Sequence, residues 1–124
     1  MLDLIIQKTD FTPSLICTLE TKTLTIEGKS LPEDARSFYK PILKWLEDLE
    51  SKNIDTIELD INLSYFNSSS SKQLLKMFYA LEDLAEKGTK STVVWKYESN
   101  DLMIKEKGEE FSELIELPFS FIEF

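Results

Sequence analysis

Ile57-Glu58-Leu59-Asp60-Ile61-Asn62-Leu63-Ser64-Tyr65 is the stretch that decides the fold. Apolar residues occupy every odd position and polar residues every even position, which is the period of a β-strand with one buried face and one wet face. A sheet that contains this strand should therefore carry helices mainly on one side. The alternation places Tyr65 on the buried face with the four aliphatic side chains.

The residues before this strand predict three further strands and a turn. Residues 4–7 can form a short first strand, and residues 14–19 and 22–27 form two more. The short connection at Glu20 and Thr21 predicts that the second and third strands make an antiparallel hairpin. Gly28 is expected to break the strand pattern.

A helix should connect this hairpin to the central strand. Ser30 and Glu33 have the spacing of a capping box, with Pro32 in the first helical turn. The helical spacing that follows predicts one apolar stripe: Phe38, Ile42, Trp45, Leu46 and Leu49. Pro41 lies inside the stripe and removes a backbone hydrogen bond, which predicts a kink or two short helices end to end.

The remaining residues predict two more helices and two more strands. An amphipathic helix spans about residues 69–87 and ends at Gly88, and a strand follows over residues 92–97. Residues 101–114 predict a helix weakened by Gly108, and residues 118–124 a terminal strand. The order predicts an α/β fold of one domain, residues 1–124. It has a mixed β-sheet, an N-terminal antiparallel hairpin and helices mainly on one face.

Composition limits the function classes. The net charge of −9 disfavours nucleic acid and anionic membrane as ligands, because both require Lys and Arg to displace counterions. The N-terminal residues have no signal-peptide pattern and no apolar run is long enough for a membrane span, so we expect a cytoplasmic protein. Cys17, the one cysteine, is expected to be a buried and inert thiol.

Most catalytic chemistry lacks its usual residues. The chain has no histidine, which removes the commonest general base and transition-metal ligand. Its three glycines form no phosphate-binding loop. Glu58 and Asp60 share the wet face of the central strand, but a Mg²⁺ or Ca²⁺ site usually needs more converging oxygens. We therefore expect no enzyme, with no catalytic residues, no metal site and no cofactor.

A run of four serines between Asn67 and Lys72 carries the one functional hypothesis that the residues themselves support. The serines can serve as a helix N-cap with spare hydroxyls. They can equally be a phosphorylation site, because unpaired N–H groups at a helix N-terminus favour phosphate, and Lys72 could pair with it. Ser68 is the best candidate and Ser69 the second, since Ser70 and Ser71 should enter the helix.

The chain resembles the SiaC-like bacterial regulatory phosphoproteins, formerly a domain of unknown function, from end to end. The core of the resemblance is the segment of residues 65–70, Tyr-Phe-Asn-Ser-Ser-Ser. Further matching segments are residues 9–13, 28–33, 39–46, 95–97, 118–119 and the region of Met103, Gly108 and Phe111.

The resemblance implies a partner switch with a STAS-type fold, similar to anti-sigma-factor antagonists. It implies phosphorylation by a serine/threonine kinase and reversal by a PP2C-type phosphatase. The unphosphorylated form would bind a target such as a diguanylate cyclase. The modified residue would be Ser68, where family members often have threonine.

The expected partner-binding residues are Tyr65, Asn67, Ser68, Ser69 and Lys72, with the turn of residues 28–33 as a neighbouring surface. The alternative function is a constitutive protein-interaction module without a phospho-switch. In that case the serines would serve only to cap the helix.

Overall fold

A computed structural model describes residues 3–124, and one six-stranded sheet runs through them. The elements in chain order are β1 Leu4–Ile6, β2 Ser14–Thr18, β3 Thr23–Ser30, α1 Ala35–Leu49, β4 Thr56–Phe66, α2 Ser68–Glu86, β5 Lys90–Tyr97, α3 Leu102–Leu114 and β6 Phe119–Glu123. A 3₁₀ turn, Glu50–Lys52, extends α1. No helix of the described part is long and apolar enough to cross a membrane.

The strands lie in the sheet in their order along the chain. β1, β2 and β3 pair antiparallel, whereas β3, β4, β5 and β6 pair parallel. Each parallel connection passes through one helix and moves one strand in the same direction, so right-handed crossovers put all three helices on one face. The mixed sheet, its N-terminal hairpin and the one-sided helix layer are therefore confirmed.

One continuous core lies between the helices and the sheet. The odd-numbered aliphatic side chains of β4 are buried as the alternation predicted, together with Leu15, Cys17, Leu24 and Ile26 of the hairpin. Burial, and secondarily the charge of Asp3, raise the pKa of the Cys17 thiol to about 12. The thiolate that alkylation or metal binding requires is therefore scarce at neutral pH.

The end of β4 departs from strict alternation, and the prediction that Tyr65 is buried is wrong. Gly28 pairs with Leu63, but the next residue, Lys29, pairs with Tyr65, so Ser64 is an extra residue in β4. Such a bulge shifts the following side chains to the opposite faces. Tyr65 is 48% exposed and Phe66 takes its place in the core. β3 also continues through Gly28, which does not break it.

The start of α1 also differs from the prediction. Ser30 is the last residue of β3 and is fully buried, so it forms no capping box with Glu33. Asp34 is the N-cap, and its carboxylate accepts hydrogen bonds from the backbone N–H and hydroxyl of Ser37. These bonds hold the pKa of Asp34 below its usual range.

Pro41 lies inside α1, which remains one helix over Ala35–Leu49. The alternative of two short helices is therefore wrong. The buried side of this helix also includes Tyr39, which is fully buried, whereas Phe38 is only half-buried. Pro32 precedes the helix rather than lying in its first turn.

Candidate functional site at the start of helix α2

The carboxyl ends of the parallel strands bring the serine run to one edge of the sheet. β3 ends at Ser30 and β4 ends at Phe66, and the backbone N–H of Asn67 donates to the carbonyl of Ser30 at 3.1 Å. The turn of residues 28–33 therefore lies beside the start of α2. This contact joins residues far apart in the sequence.

Asn67, rather than a serine, caps α2. Its backbone is extended, and its side-chain oxygen accepts from the backbone N–H of Ser70 at 2.9 Å and from the hydroxyl of Ser69 at 3.1 Å. Asparagine is among the strongest N-caps because its oxygen satisfies an otherwise unpaired N–H of the first turn. The helix begins at Ser68, so none of the four serines is its N-cap.

The four serines have different environments. Ser68 is exposed, and its hydroxyl has no hydrogen-bond partner among residues 3–124. Ser69 is also exposed but donates to Asn67. Ser71 is half-buried, and Ser70 is fully buried. Exposure therefore leaves Ser68 and Ser69 as the serines whose side chains another protein can reach.

Ser70 belongs to a buried chain of three hydroxyls. Its Oγ donates to the Ser30 carbonyl at 3.0 Å and lies 2.8 Å from the Ser30 Oγ, which lies 2.6 Å from the Tyr39 hydroxyl. Each hydroxyl has one proton. All three contacts are satisfied only when Tyr39 donates to Ser30 and Ser30 donates to Ser70.

This chain fixes the first turn of α2 to two other elements, the end of β3 and helix α1. Burial raises the pKa of Tyr39, although its hydrogen bond with Ser30 and the nearby Ser70 hydroxyl oppose the rise. The tyrosine therefore stays neutral and keeps its donor proton. Sequence reasoning missed this network because it assigned Ser30 to a helix cap and left Tyr39 outside the apolar stripe.

The exposed surface around Ser68 combines an aromatic ring with basic side chains. Tyr65 faces outward, and Lys72 follows Ser68 by four residues, which places the two on one side of α2. A groove of about 200 Å³ runs between α2 and α3, with Lys72 and Lys107 on its walls. The Lys107 ammonium lies 5.7 Å from the centroid of the Phe66 ring.

All five predicted partner-binding residues thus lie at or beside the junction of β4 and α2. Asn67 is half-buried and its side chain serves the helix cap. Glu58 and Asp60, the carboxylates considered for a metal, lie on the open face of the sheet, and Asp60 pairs with Lys96 at 3.4 Å.

The sequence matches the family described as SiaC family regulatory phosphoprotein over residues 6–124. The chain belongs to this family. It is 29% identical over 120 residues to an uncharacterized protein of Pseudomonas aeruginosa strain UCBPP-PA14, covering 97% of this chain and 95% of the relative. The family assignment confirms the resemblance and makes the protein a regulatory phosphoprotein.

Solved structures agree with this assignment over the whole fold. SiaC of Pseudomonas aeruginosa is 28% identical with a TM-score of 0.92, and each chain is covered completely. The apo form of that protein is 29% identical, with a TM-score of 0.93 over 98% of this chain and 99% of the other. A chain in the crystal structure of the diguanylate cyclase SiaD with its activator SiaC is 28% identical. Its TM-score is 0.94, over 98% of this chain and 100% of the other.

Removing the cap should measure how strongly Asn67 fixes the site. Asn67→Ala is expected to lower the free energy of unfolding by about 1 kcal/mol, because two first-turn donors lose their acceptor. Asn67→Asp should stay close to the unsubstituted protein, since aspartate caps equally well. Urea denaturation followed by circular dichroism measures both variants. Equal losses for alanine and aspartate would contradict the capping role.

Proposed function

We propose that the protein, acting as a single regulatory domain over residues 1–124, switches partners when Ser68 is phosphorylated. The observation that supports this most directly is the environment of Ser68. It is the exposed first residue of α2, its hydroxyl has no partner among the described residues, and Asn67 already caps the helix. Ser69 is the second candidate because its hydroxyl must first leave Asn67.

The physical effect of the phosphate is local. A phosphoserine adds about −1.5 to −2 charge at pH 7. At the first position of α2, that charge lies near unpaired N–H groups and one turn before Lys72, which stabilise it. It also lies close to the exposed Tyr65 ring, so a partner surface that packs on this edge would meet a hydrated dianion. Phosphorylation should therefore release the partner.

The partners follow from the family and from the SiaD–SiaC structure, in which SiaC is the activator of a diguanylate cyclase. We assign a serine/threonine protein kinase and a PP2C-type phosphatase to the modification of Ser68. We assign a diguanylate cyclase as the target of the unphosphorylated form. A kinase and a cyclase consume nucleoside triphosphates, so we propose that the protein acts in the cytoplasm.

The protein itself is proposed to have no catalytic activity. It has no histidine in the sequence, which removes the commonest general base. The protein therefore acts by binding a partner or leaving it unbound. The competing function, a constitutive interaction module, keeps the same fold and differs only in leaving Ser68 unmodified.

Mass spectrometry of the protein purified from its own cells tests the proposal. We expect phosphate on a peptide that contains Ser68, and loss of that phosphate after treatment with a PP2C-type phosphatase. The unphosphorylated form should retain a diguanylate cyclase in a pull-down and the phosphorylated form should not. An unmodified peptide while the kinase is demonstrably active would favour the constitutive module instead.

A further inference from the structure

A second groove lies between α1 and α2, on the other side of α2 from Lys107. It has a volume of about 330 Å³. Its lining residues are Arg36, Lys40, Leu43, Lys44, Glu47, Gln73 and Lys76. Four of the chain's 14 basic side chains therefore line one groove in a protein with a net charge of −9. We call this the basic groove.

Most of this positive charge is not neutralised within the protein. Lys44 pairs with Asp48 at 2.9 Å, and Glu47, which also lines the groove, interacts electrostatically with the same lysine. Arg36, Lys40 and Lys76 form no ion pair among residues 3–124, and all three are exposed. Concentrated unpaired cations on an acidic protein produce a local field that attracts a negatively charged ligand.

The wall of the basic groove carries an unsatisfied acceptor. Gln73 is 7% exposed, and its Oε1 atom is buried without a hydrogen-bond partner among the described residues. Buried polar atoms nearly always have a partner, and an unpaired one destabilises the fold. Because this atom has almost no accessible surface, a ligand in the groove does not reach it, and the exposed cations decide which ligand the groove attracts.

The spacing of the cations selects the kind of ligand. Arg36, Lys40 and Lys44 follow one another at intervals of four residues along α1, so their positive charge extends over about 12 Å. One phosphate ion cannot contact cations spread over that length. A polypeptide with several Asp and Glu side chains can, because its carboxylates are spaced along the chain.

We propose that the basic groove binds an acidic segment of the partner protein. This inference rests on the proposed function, since it assigns the segment to the partner of the unphosphorylated form. Lys76, the cation of the groove on α2, follows Ser68 by eight residues, a rise of about 12 Å along the helix. That rise exceeds the Debye length of about 8 Å, so a phosphate on Ser68 should weaken an acidic segment in the groove only modestly.

Selection of short random peptides by display on the purified unphosphorylated protein tests this without a known partner. We expect the selected peptides to be enriched in Asp and Glu. The double variant Lys40→Glu/Lys76→Glu should weaken their binding by about 30-fold or more, because two attractions become repulsions. Both lysines are exposed, so the variant should fold.

A matched control carries the same change in net charge away from the basic groove. Lys52→Glu/Lys90→Glu replaces two exposed lysines that do not line it, and should change the affinity by less than about threefold. Equal losses in the two double variants, or peptides without acidic enrichment, would overturn the proposal. So would inorganic phosphate that binds the groove when no acidic peptide does.

Phosphorylated protein separates this inference from the proposed function. If acidic peptides need Lys40 and Lys76 but a diguanylate cyclase binds the phosphorylated and unphosphorylated forms equally well, the basic groove stands and the release mechanism fails. If phosphate on Ser68 releases the cyclase but acidic peptides do not need the two lysines, the release mechanism stands and the groove proposal fails. Backbone amide shifts of residues 36–47 and 73–76 on peptide addition should locate the bound segment in either case.

Discussion

Replacing Gly108 with alanine is expected to lower the free energy of unfolding by about 1–3 kcal/mol. A Cβ atom at this position would lie 2.5 Å from Nε1 of Trp95 and 2.6 Å from its Cδ1. The indole cannot yield easily, because it is 1% exposed and its N–H donates to the Ile104 carbonyl at 3.0 Å. Overpacking costs about 1–3 kcal/mol and loss of that hydrogen bond about 1 more, against about 1 gained in helix propensity.

A double-mutant cycle shows whether the indole is the cause. Trp95→Leu removes the aromatic ring whose Nε1, Cδ1 and Cε2 atoms the new methyl group would meet, so Gly108→Ala should cost less in that background than in the unsubstituted protein. Glu109→Ala, on the exposed side of the same helix, should shift stability by less than about 0.5 kcal/mol. An equal cost of Gly108→Ala in both backgrounds would argue against the contact.

The same contact connects the fold to the site. Trp95 packs edge-on against Phe66, with ring centroids 6.0 Å apart, and both rings contact Phe111 of α3. Phe66 is the last residue of β4 and immediately precedes Asn67. A shift of α3 away from Trp95 would therefore reach the start of α2. We interpret Gly108 as a requirement for close helix packing rather than as a weak point of α3.

The elements that the sequence predicted well are those set by local periodicity. The alternation of β4 and the apolar stripes of α1 and α2 depend on neighbouring residues, so their faces were readable without the structure. The right-handed crossover rule then determined the mixed sheet from the element order alone. The serine run was recognised for a similar reason, because a helix start is encoded within a few residues.

The features that the sequence did not predict depend on long-range register. The extra residue at Ser64 is defined only by how β4 pairs with β3, and it reverses Tyr65 and Phe66. Ser30 and Ser70 are 40 positions apart and meet only once the parallel strands are aligned. No local rule distinguishes a capping serine from one that ends a buried strand.

The basic groove could not be predicted from the sequence for a similar reason, because it depends on contacts between distant residues. Its cations are spread along two helices, and each one reads as an ordinary solvated lysine or arginine in the sequence. They converge only because α1 and α2 pack side by side on adjacent crossovers. Gln73, which the sequence places among polar residues of α2, acquires its unsatisfied oxygen from the same packing.

Phosphorylation of Ser68 is expected to weaken binding of the target by more than about 100-fold, because like charges and a hydrated dianion at an interface cost about 3 kcal/mol or more. Ser68→Ala should bind as the unphosphorylated protein does and should no longer respond to the kinase. The affinity of Ser68→Asp should lie between those of the phosphorylated protein and Ser68→Ala, since one carboxylate carries less charge than a phosphate. Isothermal titration calorimetry with the proposed target, a purified diguanylate cyclase, measures the affinities of all three.

If the start of α2 is the switch, the loss of affinity for the target must depend on the position of the added charge and not on the charge alone. Ser51→Asp supplies the matched control: Ser51 is exposed in the 3₁₀ turn after α1, at the opposite end of the helix layer, and receives the same charge. We expect the affinity of the Ser51→Asp variant for the target to change by less than about threefold, since the added charge lies well beyond a Debye length from the site. Equal effects at positions 51 and 68 would show a response to net charge and would contradict a local switch. An effect confined to position 68 would require that the partner contacts this edge of the sheet, because Ser70 and Tyr39 hold the first turn in place and leave little room for a change transmitted elsewhere.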